Sequence, residues 1–173
     1  SIDRISSMSL VHQFLYQSDT QSSIDFHGFV DRVVEELIGS YGTGGNVDIV
    51  RNIGDVSVGI NIAAPVSLII NELVTNALKY AFPENRGGTI RIETTRVPPR
   101  HIRLLVSDDG VGLPDSFDID NSDSLGMQLI KGLTAQIQGT LDVWAEEGTT
   151  FVVTFPEPTP VPGGTNDTDT RQH

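Results

Sequence analysis

Three side chains in this sequence stand at a spacing that suits phosphate chemistry. Glu72, Asn76 and Lys79 lie within the stretch Pro65 to Phe82. At about 100° per residue they fall within roughly 60° of one another on a helix. A carboxylate can orient an attacking group, an amide oxygen can hold a hard cation, and an ammonium can neutralise phosphate. Together they suit a magnesium nucleotide. A lone Glu/Asn/Lys trio is more often a solvated helix face, so the reading rests on what accompanies it.

A second motif, Ser107-Asp108-Asp109-Gly110-Val111-Gly112, falls where an apolar strand pattern gives way to a loop. Strand alternation lets only one of the two aspartates face inward, and the glycines let the backbone approach a flat ligand. An inward carboxylate accepts hydrogen bonds only, so it can take the exocyclic amino hydrogen of adenine and reject guanine. Taken singly, Asp-X-Gly-X-Gly is a plain turn. In Glu147-Gly148-Thr149-Thr150-Phe151, Thr149 opens a strand and can share a water with Asp108; alone it is a hairpin turn. Ser124-Leu125-Gly126-Met127 sets a glycine at a helix start, where free amides and the dipole attract phosphate. Its bland alternative is an ordinary N-cap on Ser124.

These residues need a scaffold. Val66, Ile69, Ile70, Leu73, Val74, Ala77, Leu78 and Ala81 recur at helical steps, and Pro65 suits a first turn. Before this helix, Phe29, Val33, Leu37 and Tyr41 predict another, ended by Gly42, Gly44 and Gly45. Between the two, residues 47–50 and 56–62 alternate with period two around a Gly-Asp turn, which predicts a hairpin. Residues 89–97 and 101–107, separated by Pro98-Pro99, form a second strand pair. Residues 110–125 lack periodicity and predict a mobile loop, and residues 126–137 predict a helix burying Met127, Ile130, Leu133 and Ile137. A last hairpin, residues 140–146 and 149–155, turns at Glu147-Gly148. The sum is an α+β two-layer sandwich, a mixed and mostly antiparallel sheet packed on helices. A detached amphipathic helix precedes it, with Ile5, Met8, Val11 and Leu15 on one face.

Composition narrows the function. The chain has 173 residues, 38% of them hydrophobic, and a formal net charge of −12. That is enough for one good core, and the charge repels duplex nucleic acid and anionic membrane. With no cysteine there is neither a disulfide framework nor a thiolate metal site. No apolar run stands out at the ~20 residues of a membrane span. His12, His27, His101 and His173 show no metal-ligand spacing, and surface or structural roles suit each.

Asn71-Glu72-Leu73-Val74-Thr75-Asn76-Ala77-Leu78-Lys79-Tyr80-Ala81, Asp108-Asp109-Gly110-Val111-Gly112 and Gly148-Thr149-Thr150-Phe151 resemble, in order and spacing, the nucleotide boxes of the GHKL ATPases, and specifically of sensor histidine kinases. The resemblance implies ATP and Mg2+ as cofactors, with Asn76 as magnesium ligand and Glu72 as base or orienting carboxylate. It makes Lys79 and Tyr80 phosphate contacts and Asp108 the adenine reader. Gly110, Gly112, Gly126, Met127 and Thr149 would shape the nucleotide pocket, under a lid running from Leu113 to Leu125. The lid is short, and Phe117 is its one phenylalanine.

The leading residues 4–18, with Ile24-Asp25-Phe26 and Ser40-Tyr41, look like the second dimerisation helix and linker of one histidine-kinase subfamily. There the phosphoacceptor histidine lies on the preceding helix, so His12 aligns with a second-helix histidine and not with the acceptor. The domains implied are residues 1–23, part of a dimerisation unit; 24–156, the ATP-binding catalytic domain; and 157–173, a tail too poor in apolar residues to fold. The implied partners are ATP, a response regulator and a second copy through a helical bundle, with no nucleic acid and no membrane contact by this chain. The implied setting is cytoplasmic, whether or not the complete protein is membrane-anchored. Two alternatives keep the pocket: an anti-sigma-type serine kinase or ATPase of the same superfamily, and a non-catalytic nucleotide-sensing module.

Overall fold

The computed structural model describes residues 23–41, 46–114, 117–120 and 124–157. In chain order these form β1 (Ile24–Asp25), α1 (Phe26–Tyr41), β2 (Val47–Ile53), β3 (Ser57–Val58), α2 (Ile60–Asn76), a π turn (Ala77–Ala81), β4 (Gly88–Val97), β5 (His101–Asp108), α3 (Leu125–Gln136), β6 (Thr140–Trp144) and β7 (Thr149–Pro156). The five-stranded sheet runs β2-β4-β5-β7-β6, and β1 and β3 make a separate two-stranded ribbon. Only β2 and β4 pair parallel, and the other pairs in the large sheet are antiparallel. The result is the expected α+β sandwich with a mixed sheet. The leading helix, Gly42 to Gly45 and the tail beyond Glu157 lie outside the described residues.

Alternation aims one face of the sheet at the helices. Ile90 and Ile92 of β4, Ile102, Leu104 and Val106 of β5, and Val153 and Phe155 of β7 are buried on it. Phe26, Phe29, Val30, Val33 and Val34 of α1 and Val66, Ile69, Ile70 and Val74 of α2 meet them without exposure. Each such aliphatic or aromatic side chain contributes roughly 1.5–3 kcal/mol over leaving it in water. An ion pair between Arg51 of β2 and Asp31 of α1, 3.2 Å, ties the sheet edge to the helical layer.

Two expectations are corrected. The hairpin over residues 47–62 does not form: β2 pairs with β4, β3 pairs with β1, and Ile60 already opens α2. The alternation of Val56 and Val58 is real, since both are buried, but it belongs to a crossing segment. Gly54 leaves the sheet by donating its N–H to Thr94 Oγ1 at 2.9 Å. The second correction concerns Pro65, which sits inside α2 and not in its first turn, because Gly59 caps a helix that starts at Ile60. Pro65 has no N–H for the Asn61 carbonyl, and Asn61 is exposed to water. Counted with the π turn, the helix spans Ile60–Ala81, 22 residues, long and apolar enough to cross a bilayer. Its most apolar window is 72% buried inside the domain, so that apolarity is spent on the core.

Candidate functional site

The site begins on α2. Its apolar arc faces the sheet and the neighbouring helices, leaving Glu72 and Asn76 on one flank; Glu72 is 8% exposed and Asn76 partly so. Gly126, in the first turn of α3, closes on that flank. A Cβ added there would lie 3.2 Å from Glu72 Oε2 and 3.8 Å from Asn76 Nδ2. The absence of a side chain at Gly126 is what lets the start of one helix approach the polar groups of another. Ser124 caps α3, its Oγ accepting the Met127 N–H at 3.2 Å. Met127 itself is 4% exposed and joins the core.

Past Asn76 the helix widens into the π turn, and the Ala77 N–H is shared between the Leu73 and Val74 carbonyls. Hydrogen bonds to the fifth residue back turn the chain less per residue, so the 3.6-residue stripe does not extend unchanged to Lys79. Lys79 and Tyr80 are exposed there, Tyr80 by 71%. The turn ends on Ala81, whose carbonyl accepts the Val111 N–H at 2.9 Å. Gly110 packs so closely on Ala81 that a Cβ would overlap its carbonyl. One end of α2 is thereby bonded to the Asp108–Gly112 loop.

On β5 the expected asymmetry of the two aspartates holds. Asp108 lies on the helix-facing side, in register with Ile90 and Thr149. Asp109 is exposed, and its Oδ1 accepts the Thr89 N–H at 2.7 Å. Burial pushes the Asp108 carboxyl above its ordinary value, and the neighbouring Asp109 charge adds to this; backbone N–H donors from Gly110 and Thr149 work in the opposite sense. The Gly110 N–H reaches Asp108 Oδ1 at 3.0 Å. Thr149 is 5% exposed, and its backbone N–H donates to the Asp108 carboxylate. Gly148, with φ +108°, passes against the Asp108 carbonyl, and Gly112 takes φ +78° beside Gly148. Side chains at either would strain the backbone.

The structure thus brings together Glu72, Asn76 and Gly126 at one place, and Asp108, Gly110, Gly112 and Thr149 at another, joined through Ala81. Three of the five large exposed apolar side chains among the described residues, Tyr80, Val111 and Leu125, adjoin these groups in sequence. A cleft of about 430 Å³ lies beneath Leu113, Pro114, Phe117 and Ile119 of the expected lid, on the end of β6. Apart from the lid, none of the expected site residues lines it, and converging polar groups mark the site better than that hollow does. Sequence reasoning missed the π turn and the Ala81 carbonyl, since nothing in an apolar 3.6-residue period announces either. No group of three or more His, Asp or Glu side chains among the described residues can hold a metal by itself. Glu72 Oε2 borders a cradle that a Cβ would fill, and the Asn76 amide beside it fits a Mg2+ completed by phosphate and water once its oxygen is turned toward the site.

Residues 61–159 match the family described as histidine kinase-, DNA gyrase B- and HSP90-like ATPases. The chain belongs to that family. Residues 1–41 match a family described as histidine kinase. Sensor histidine kinase PdtaS of Mycobacterium tuberculosis is 33% identical over 164 residues, 90% of this chain and 32% of that protein. Blue-light-activated histidine kinase 2 of Erythrobacter litoralis is 33% identical over 89 residues, 49% of this chain and 26% of that one. The chain spans about a third of the length of the curated relatives it matches. The histidine kinase domain of E. litoralis EL346 superposes with TM-score 0.81 at 23% identity, over 89% of this chain and 73% of that one. The full-length ShkA structure in complex with AMPPNP gives 0.64 at 18% identity, over 83% and 32%; at these identities the two likenesses show the fold. The serine-kinase and sensing-module alternatives find no support in these relatives.

Proposed function

We propose that this chain binds ATP with Mg2+ and serves as the catalytic part of a sensor histidine kinase, passing the γ-phosphoryl group to a histidine on a helix upstream of residue 1. The observation that carries this is the meeting of Glu72 and Asn76 with the side-chain-free start of α3, on a helix whose end at Ala81 is bonded to the loop that follows Asp108. Phosphoryl transfer needs positioned groups and charge compensation more than covalent chemistry from the protein. Asp108 accepts the adenine amino group, and Gly110, Gly112 and Gly148 let the base lie against backbone. The amides opening α3 and the Lys79 ammonium receive the phosphates. Asn76, with Glu72 beside it, would hold the metal, which when bound supplies charge neutralisation between phosphate oxygens. Glu72 takes or shares the proton of the incoming imidazole.

The domain boundaries proposed are residues 1–23 for the dimerisation helix and 24–156 for the catalytic domain. A second copy through a helical bundle, a response regulator as phosphoryl recipient, and a cytoplasmic setting follow from the same reading. Calorimetry with Mg-ATP on the chain should show one site that Asn76→Ala weakens about tenfold or more. Joined to its upstream helix, the protein should form an acid-labile phosphohistidine. A folded chain that takes up no nucleotide, or an ATP-loaded longer protein with only acid-stable phosphate, would remove the proposal.

A further inference from the structure

Two buried polar atoms of α2 are left over by the site. Asn71 Oδ1 and Thr75 Oγ1 have no hydrogen-bond partner, although Asn71 is only 2% and Thr75 7% exposed. Groups of this kind are paired in native proteins, or else met by an ordered water. The other buried helical hydroxyls show what is unusual about Thr75. Ser67 Oγ donates to the Ala64 carbonyl and Thr134 Oγ1 to the Ile130 carbonyl, both at 2.7 Å. Every helical Ser or Thr has such a carbonyl three or four residues back, and Thr75 turns away from its own. Asn71 and Thr75 stand one turn apart, with Cβ atoms separated by about 5–6 Å. They do not bond directly, and that span suits one bridging oxygen.

Glu72 lies beside this pair on the helix surface. At about 100° per residue, Thr75 and Asn71 sit about 60° and 100° to one side of Glu72, with Asn76 about 40° to the other. We infer that Asn71, Thr75 and Glu72 bind a single buried water, which donates to Asn71 Oδ1 and to the Glu72 carboxylate and accepts the Thr75 hydroxyl proton. Three partners are the usual complement of a buried water. Asn71 and Thr75 are then positioning residues, holding Glu72 from the flank opposite Asn76. The water rests on the orphaned atoms alone; its kinetic consequence rests on the phosphotransfer reading.

Thr75→Val keeps the shape and removes the hydroxyl. With the water, the substitution strands Asn71 and lowers Tm by about 2–4 °C; with a hydroxyl that is merely orphaned, it raises Tm. Asn71→Leu should lower Tm as well, and the double variant, with both neutral partners of the water removed and only Glu72 left, should recover part of the loss. A crystal structure of the chain should show an ordered oxygen within about 3.2 Å of all three residues. A rise in Tm for Thr75→Val, or an Asn71 amide turned to donate straight to Thr75, overturns the water. In the longer kinase, Thr75→Val should lower kcat about threefold to tenfold with KM for ATP held within about twofold, and Thr75→Ser should restore it. An unchanged kcat overturns the positioning role. A wild-type kinase without phosphotransfer would instead strike at the proposed function, while the Tm and crystallographic results would still decide the water.

Discussion

Asp108 ends β5 half-buried, and two backbone donors work against what burial does to its charge. Because burial wins, the folded Asp108 takes up a proton at higher pH than the unfolded chain, whose value is the ordinary 3.8. As pH falls through that window the native state binds more protons than the unfolded one, so this group's share of stability rises on acidification and falls again toward neutrality. The proposed adenine recognition has the opposite sign, because a protonated carboxyl has lost its charge and exchanged one acceptor oxygen for a donor. Acidification should therefore weaken ATP binding while the nucleotide-free domain gains from this residue. Asp108→Asn should flatten both trends and lower ATP affinity about tenfold near neutral pH, read from calorimetric titrations and melting curves across the acid range. At Glu72 the expectation separates transfer from binding: Glu72→Gln should slow phosphohistidine formation by about 10²–10⁴ and leave ATP affinity within about threefold. A matching loss in both would make Glu72 a binding residue.

Two glycines distinguish packing from function at the level of elements. Gly110 meets the Ala81 backbone, which cannot retreat without unwinding the π turn, whereas Gly126 meets the end of a flexible glutamate. Gly110→Ala should destabilise the domain by about 2–3 kcal/mol. Gly126→Ala should leave denaturant stability nearly unchanged while displacing Glu72 and reducing activity; equal losses of stability would contradict the contrast. Ser124→Ala removes the α3 cap and should lower stability by about 1 kcal/mol. Much of this architecture was legible in the sequence. The apolar recurrence from Val66 to Ala81 located the central helix, and Glu72, Asn76 and Asp108 declared themselves by residue type and by falling against the local period. What stayed hidden was non-local or shared between conformations. Val47 to Ile53 pairs with a strand some forty residues on, and no local pattern encodes parallel pairing. Val56, Val58 and Ile60 alternate as a strand does, yet the last opens a helix. The capture of the Ala81 carbonyl by Val111, and the closeness of Gly126 to Glu72, exist only after three elements have packed.

For the whole molecule, α2 is the crossover between the parallel neighbours β2 and β4, and α1 completes the layer in which it lies. The residues that match the ATPase family begin at 61, one residue inside α2. The folded unit begins earlier. Trimming an expression clone to residues 61–159 would discard β2 with its seven register pairs to β4, and with it the five α1 side chains from Phe26 to Val34 that have no exposure at all. The product should be insoluble or bind hydrophobic dyes, while a clone opening at Ser23 should give a cooperative melt and dispersed amide resonances. Nucleotide assays on the shorter piece would report on a broken sheet. The start codon, as much as any active-site substitution, then decides whether this domain can be studied on its own.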